Sequence, residues 1–305
     1  MTSGPEPAAL AWAANAVRPG AKIQSVRGMR EGGNPWRLRL SHRGTETEAV
    51  LKTASAPDGF ATELAALRLA ELRGLPAPRI IAVDETGASA GTYAVVETVV
   101  PGHSRIPTVG TPGRLAAIGA AAAGLHGTPM AATAELPLRT RPIPATDFAA
   151  ERRAGTDRTT PLLDAAQAFV DGLARPAGDT VLVHGDLWQG NIMWAGDVVT
   201  GLLDWDMAGV GHPGVDLSSV RLDAALMFGS DAAGAVRAAW EDTRGRPADD
   251  VPYWDAVAAL NQPGDLATFA PVMHDQGRTD LTGHLLNERR DAFLRAALAE
   301  LGFER

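Results

Sequence analysis

Residues Thr180 to Leu217 read TVLVHGDLWQGNIMWAGDVVTGLLDWDMAGVGHPGVDL. Val181 to Val183 predict a short apolar strand running into His184-Gly185-Asp186, and Asn191 stands five residues beyond Asp186. A second apolar run, Val198 to Leu203, predicts the return strand of a hairpin that delivers Asp204 into a loop. An isolated Asp beside glycine is usually a turn former or a cap. Two carboxylates and an amide at the ends of paired strands are a different matter, because pairing brings such ends to one place.

The set has the chemistry that phosphoryl transfer needs. A carboxylate orients or deprotonates the accepting hydroxyl, and oxygen ligands hold Mg²⁺ against the phosphates. Asp186, Asn191 and Asp204 supply these groups. Around them, His184 is expected to pack under the loop through a backbone hydrogen bond, and Asp216 to cap the helix that opens after Pro213-Gly214. Trp194 and Trp188 suit core packing, with a place in a substrate pocket open to Trp188. Asp206 has two readings, contact with substrate or pairing with an arginine.

Upstream, a short helix over 7–17 precedes three alternating strands, Lys22 to Gly28, Trp36 to Ser41 and Glu48 to Thr53. Arg30 to Pro35 (REGGNP) and His42 to Thr45 (HRGT) join them. A helix from Gly59 to Arg73 ends at Gly74, and the strands Arg79 to Val83 and Thr92 to Val96 complete a β-β-β-α-β-β unit. Pro101-Gly102 then breaks the pattern, dividing the chain into domains 1–102 and 103–305. Beyond the break the chain reads as mostly helical, over 112–126, 146–154, 161–174, 216–228, 232–244, 252–274 with a break at Pro263-Gly264, and 280–301. Thr128 to Thr146 is proline-rich and reads as a loop.

Composition removes several alternatives. Without cysteine there are no disulfides, thiolate metal sites or cysteine nucleophiles. No apolar run approaches the roughly 20 residues of a membrane span, and Met1 to Pro7 carries no secretory pattern, so a cytoplasmic location is expected. Residues 1–102 hold 11 Lys+Arg against 10 Asp+Glu, whereas 103–305 hold 17 against 26. An acidic second half disfavours nucleic acid and suits a cationic partner. Only two lysines, Lys22 and Lys52, accompany 26 arginines, so a lysine in mid-strand marks a place where arginine does not serve.

The HGDxxxxN run from His184 to Asn191 resembles the signature of the aminoglycoside phosphotransferase and choline kinase family, relatives of the protein kinases, which carry HRDxxxxN there. The resemblance implies an α+β, two-lobed protein-kinase-like fold. Its N-lobe (1–102) would be a five-stranded antiparallel sheet with one main helix that binds nucleotide. The mostly α-helical C-lobe (103–305) would carry the catalytic loop and the acceptor site.

By the same resemblance Asp186 is the catalytic base or the residue that orients the accepting hydroxyl, Asn191 and Asp204 are the Mg²⁺ ligands, and Asp216 braces the catalytic loop. Lys52, in the third strand, contacts the α/β-phosphates of ATP or GTP, with Glu63 as its ion-pair partner. Gly32, Gly33 and Asn34 offer backbone amides to the phosphates, and Glu97, Thr98, Val99 and Val100 form the hinge that bonds adenine. No long activation segment separates Asp204 from Asp216, which favours a small alcohol over a protein substrate. A cationic small molecule is the expected acceptor, an antibiotic such as an aminoglycoside first. Its binding acids would come from Asp255, Asp265, Asp275, Asp280 and Glu288. The alternatives are a kinase of a metabolic amino alcohol or sugar, and a non-catalytic nucleotide-binding member of the fold.

Overall fold

The computed structural model of the 305-residue chain describes residues 4–29, 33–56 and 60–303. The chain divides into two units, Met1–Pro101 and Gly102–Arg305.

Strand alternation builds the first unit. Strands β1 (Lys22–Gly28), β2 (Trp36–His42), β3 (Thr45–Ala54), β4 (Ile80–Asp84) and β5 (Tyr93–Thr98) pair antiparallel throughout, in the order β1-β2-β3-β5-β4. The β2–β3 turn is two residues, Arg43 and Gly44, both at positive φ (49° and 81°). That conformation matches the right-handed twist of the flanking strands. Trp36, Leu38, Leu40, Ala49, Leu51, Ala94 and Val96 share one sheet face and bury against Ala9, Ala13 and Ala14 of helix α1 (Pro7–Val17). Side chains alternate along a strand, so Val50, Lys52, Val95 and Glu97 take the other face. Helix α2 (Ala61–Leu72) lies on that side, with Glu63, Leu64, Ala66, Leu67 and Ala70 buried. Its expected start, Gly59, lies outside the described residues.

In the second unit the helices are α3 (Pro112–Leu125), α4 (Phe148–Ala154), α5 (Pro161–Asp171), α6 (Gly214–Phe228), α7 (Ser230–Arg244), α8 (Val251–Leu260), α9 (Ala270–Asp275) and α10 (Gly283–Glu300). Thr111, Asp147, Thr160 and Thr282 cap α3, α4, α5 and α10 with side-chain oxygens, satisfying amides that a helix start leaves open. Nearly all of α6 is buried, and α5, α8 and α10 join it in one apolar core with Leu163, Leu222, Ala259 and Leu294. Two small sheets interrupt the helices. The first orders β6 (Leu138–Arg139), β10 (Gly209–Gly211) and β7 (Val181–Val183), and the second is the β8–β9 hairpin (Ile192–Ala195, Val198–Leu202).

Two local expectations change. The helix expected over 252–274 breaks more widely, because Arg152 takes the carbonyls of Leu260 and Gln262 (2.6 and 2.9 Å) and Arg290 those of Pro263 and Gly264 (2.8 and 3.1 Å). Side-chain donors there replace the helical bonds. The loop over Thr128 to Thr146 contributes β6, which pairs in parallel with β10. Among the described residues no helix is long and apolar enough to cross a membrane.

Candidate active site

In the first unit the strand register sets the chemistry. Lys52 lies opposite Val95, and Glu97 stands two residues further along β5, so both side chains occupy the face turned to α2. Lys52 Nζ bonds the Glu63 carboxylate and lies 3.2 Å from Glu97 Oε2. Burial alone would depress the Lys52 pKa, but Glu97 and Glu63 outweigh it and raise the value, so the ammonium is held charged. Glu63 is the partner expected from the resemblance. The second carboxylate adds to that expectation: the side chain of Glu97, a residue expected at the hinge, is buried and faces Lys52.

Thr98 ends β5 with its hydroxyl accepting from Arg79 N (2.9 Å), and Val99 and Val100 follow outside any strand. Asn34 turns its amide onto β3, donating to Thr53 O (2.8 Å) and accepting from Thr53 N (3.2 Å). Gly33 has φ 99°, and a Cβ there would lie 2.8 Å from Trp36 Nε1. Gly32 lies outside the described residues.

In the second unit β7 is buried along its whole length and leads into His184-Gly185-Asp186. Asp216 accepts the amides of His184 (2.7 Å) and Gly185 (3.0 Å). This corrects the N-cap reading of Asp216: α6 begins at Gly214 with Pro213 in the cap position, and the Asp216 carboxylate turns away to the loop. Behind it, His126 Nε2 lies 3.4 Å from Asp216 Oδ2, and His126 Nδ1 accepts from Trp240 Nε1 (2.9 Å). His184 Nε2 donates to Leu203 O (2.9 Å), tying this loop to the residue before Asp204. Gly185 has φ 82°, and a Cβ on it would meet Met207 O at 2.1 Å, so only glycine fits.

Asn191 Nδ2 donates to both the main-chain oxygen (3.0 Å) and Oδ2 (3.1 Å) of Asp186. With its nitrogen so engaged, oxygen is the atom Asn191 has to offer a cation. Asp204 adopts φ 69°, a left-handed conformation uncommon outside glycine. Burial raises the Asp186 pKa, the nearby Asp204 charge adds to the rise, and His184 and the Asn191 bond oppose it. Asn191 is thus bonded to Asp186, and Asp204 lies near enough for its charge to act on Asp186. Among the described residues no three His, Asp or Glu side chains form a metal cluster. One carboxylate and one amide oxygen are a donor set for Mg²⁺ shared with phosphate oxygens, not for a resident all-protein site.

Several neighbours escaped the sequence reading. Arg139 bonds the carbonyls of Met207 (3.0 Å) and Ala208 (2.9 Å). Ile143, at φ 47°, donates its amide to Gly185 O (2.7 Å), and Asn261 holds Pro142 O (2.5 Å) behind it. Gln189, Asp223 and Arg114 form a buried cluster beside Asn191. Asp223 alone left a trace in the sequence, as a second acid two turns after Asp216 on the same helix.

Most of the acids expected to bind a cationic acceptor already have partners within the chain. Asp255 is buried against Arg221 (Oδ1–Nε 3.0 Å, Oδ2–NH2 2.8 Å). Asp265 accepts from Ala267 N, Arg158 and Asn287. Asp280 takes both arms of Arg278, and Glu288 lies 3.3 Å from His284. Asp275 is exposed. Four of the five are thus engaged by the chain's own side chains.

Known proteins resemble this chain in sequence profile and in fold. A family profile described as "Phosphotransferase enzyme family" matches residues 26–260. No curated protein matches the chain. Among solved structures, a provisionally assigned aminoglycoside phosphotransferase from Ralstonia eutropha JMP134 superposes with TM-score 0.62 at 16% identity, covering 96% of this chain and 98% of that one. Macrolide 2'-phosphotransferase MphH from Brachybacterium faecium gives 0.59 at 18%, covering 95% and 98%. The aminoglycoside phosphotransferase APH(4)-Ia, in a complex with AMP-PNP and hygromycin B, gives 0.57 at 16%, covering 90% and 95%. At these identities the structural likeness establishes the fold, which is the protein-kinase-like one expected. With the profile spanning most of its length, the chain belongs to the phosphotransferase enzyme family.

Proposed function

We propose that the protein moves the γ-phosphate of ATP or GTP to a hydroxyl of a small molecule, with an antibiotic of the aminoglycoside or macrolide type as acceptor and resistance to it as the consequence. The observation that carries this reading is the bond from Asn191, at the head of the β8–β9 hairpin, to Asp186 in a loop braced by Asp216, with the Asp204 charge nearby at the foot of the hairpin. In this reading Asp186 orients the acceptor hydroxyl and takes its proton, helped by a raised affinity for protons. Asn191 and Asp204 hold Mg²⁺, which neutralises phosphate charge when bound. Lys52, kept charged by Glu63 and Glu97, bonds the α/β-phosphates. Residues 1–101 would form the nucleotide-binding lobe, with amides of Gly32, Gly33 and Asn34 toward the phosphates and Glu97 to Val100 as the adenine hinge. Residues 102–305 would carry the acceptor site.

The two similar enzymes named for their substrates act on a macrolide and bind hygromycin B, which supports an antibiotic ahead of a metabolic amino alcohol or sugar. The test is turnover of ATP and GTP with Mg²⁺ across aminoglycosides, macrolides, amino alcohols and sugars. Phosphorylation of one class supports transfer and names the acceptor. Tight nucleotide binding with no turnover on any of them would leave a binding protein instead.

A further inference from the structure

We propose that Gln189, clamped between Arg114 and Asp223, is a positioning residue that fixes Asn191 for cation binding. The inference rests on the reading of Asn191 as a Mg²⁺ ligand. Gln189 lies inside the run that joins Asp186 to Asn191 and is fully buried. Its Oε1 accepts from Arg114 Nε (2.9 Å), its Nε2 donates to Asp223 Oδ2 (3.0 Å), and its main-chain N–H donates to the same oxygen (3.2 Å). Side chain and backbone of one residue are therefore held from opposite sides by two buried charged groups, Arg114 at 2% and Asp223 at 6% exposure.

An amide is the group that this position demands. It presents an acceptor to the guanidinium and a donor to the carboxylate at once, where a glutamate would set like charge against Asp223 and an alkyl chain would leave both charges without these bonds. The clamp is itself anchored. Arg114 stacks on the Trp194 ring at 3.8 Å and donates to Arg105 O (3.3 Å), and Asp223 projects from the buried helix α6.

Two residues further on the held turn ends in Asn191. Asn191 N donates to Trp188 O (3.0 Å), closing one 3-10 turn over Gln189–Asn191. Gly190 lies so close to Trp188 that a Cβ would stand 2.1 Å from its ring. Asn191 O accepts from Leu203 N (2.8 Å), next to Asp204. The Gln189 bonds hold the backbone from which the Asn191 side chain departs, while Asp186 holds its amide nitrogen, and together they aim the Asn191 oxygen.

The experiment measures Mn²⁺ binding, by calorimetry or electron paramagnetic resonance, to full-length protein with AMP-PNP, so that no turnover is involved. Metal-free AMP-PNP affinity and Tm are recorded beside it. Gln189→Asn keeps an amide but is one methylene too short to span the clamp, and it should weaken Mn²⁺ binding by about tenfold or more, as loss of ligand-orienting partners commonly does, while metal-free nucleotide affinity stays unchanged. Asp223→Asn keeps an acceptor oxygen for both Gln189 donors and should stay close to wild type, whereas Asp223→Leu should behave like Gln189→Asn. Wild-type Mn²⁺ affinity in folded Gln189→Asn would overturn the inference, as would equal weakening in Asp223→Asn, since charge and not bonding would then matter. Should Gln189→Asn not fold, Asp223→Leu against Asp223→Asn makes the same comparison. Asn191→Ala separates the two levels: unchanged Mn²⁺ affinity there would sink the ligand reading itself, while loss there beside a silent Gln189→Asn sinks the positioning role alone.

Discussion

Single atoms decide much at this site. Asp186 is held by Asn191 on one side and carried on a backbone that Asp216 and Ile143 fix on the other. Asp186→Asn keeps the shape and the acceptor oxygen but removes the proposed base, so transfer should fall by roughly 10²–10⁴-fold with nucleotide affinity within a few-fold of wild type. Turnover assays and calorimetry check the two halves of that expectation. Lys52 is a sharper case. Its compact ammonium sits between two carboxylates on a crowded sheet face, and Lys52→Arg replaces it with a planar fork that needs more room. Weakened ATP affinity with an unchanged Tm is the expected result, and full activity would show that the charge alone suffices.

At the scale of elements, α6 organises the second unit by what it turns to each neighbour. Asp216 serves the loop after β7, Asp223 the turn before β8, and Arg221 meets Asp255 of α8. Burial raises the Asp255 pKa in spite of Arg221, so desolvation outweighs even a two-armed ion pair. Asp255→Ala strands the buried Arg221 and should destabilise the fold by about 3–5 kcal/mol, leaving acceptor KM unchanged. Denaturant unfolding beside steady-state kinetics distinguishes this structural role from the substrate contact expected of Asp255 from sequence. Asn261, at the end of α8, ties α8 to the left-handed Ile143 segment. Removing that buried donor in Asn261→Ala should lower stability by about 1–3 kcal/mol, read as a fall in denaturation midpoint.

Across the whole molecule, pH couples to folding through Asp223. Burial pushes its carboxyl up to about 6, against the opposing Gln189 bonds and the charges of Arg114 and Arg278. An unfolded Asp ionises near ~3.9. Between those values the folded chain keeps a proton that the unfolded chain has released, so this contribution is complete below about pH 4 and is lost as pH rises to about 6. Asp223→Asn does not titrate. Its unfolding free energy relative to wild type should therefore increase by roughly 3 kcal/mol from about pH 3 to about pH 7, and urea titrations at both ends test it. A gap that does not change with pH would show that Asp223 is not the group responsible.

The same molecule shows where sequence suffices. Asn191 and Asp204 were legible because a hairpin is a local structure whose pairing brings its ends together, and Asp186 because it stands only five residues before Asn191. Lys52 and Glu63 were legible through the family resemblance and the scarcity of lysine. Tertiary structure decided the rest. Glu97 faces Lys52 only because the β3–β5 register places both on one side of the sheet, and a shift of one residue would reverse that. Asp216 was expected both to cap a helix and to brace a loop, and the fold leaves it only the second task, since the strand it serves lies some thirty residues earlier in the chain. The acids of the second half carry one formal charge each in the sequence, but Asp255, Asp265 and Asp280 meet arginines 34, 107 and two residues away. Composition sets how many charges there are, and packing, mostly long-range, sets which of them are left for a partner, because ion pairing depends on distance in space and not along the chain.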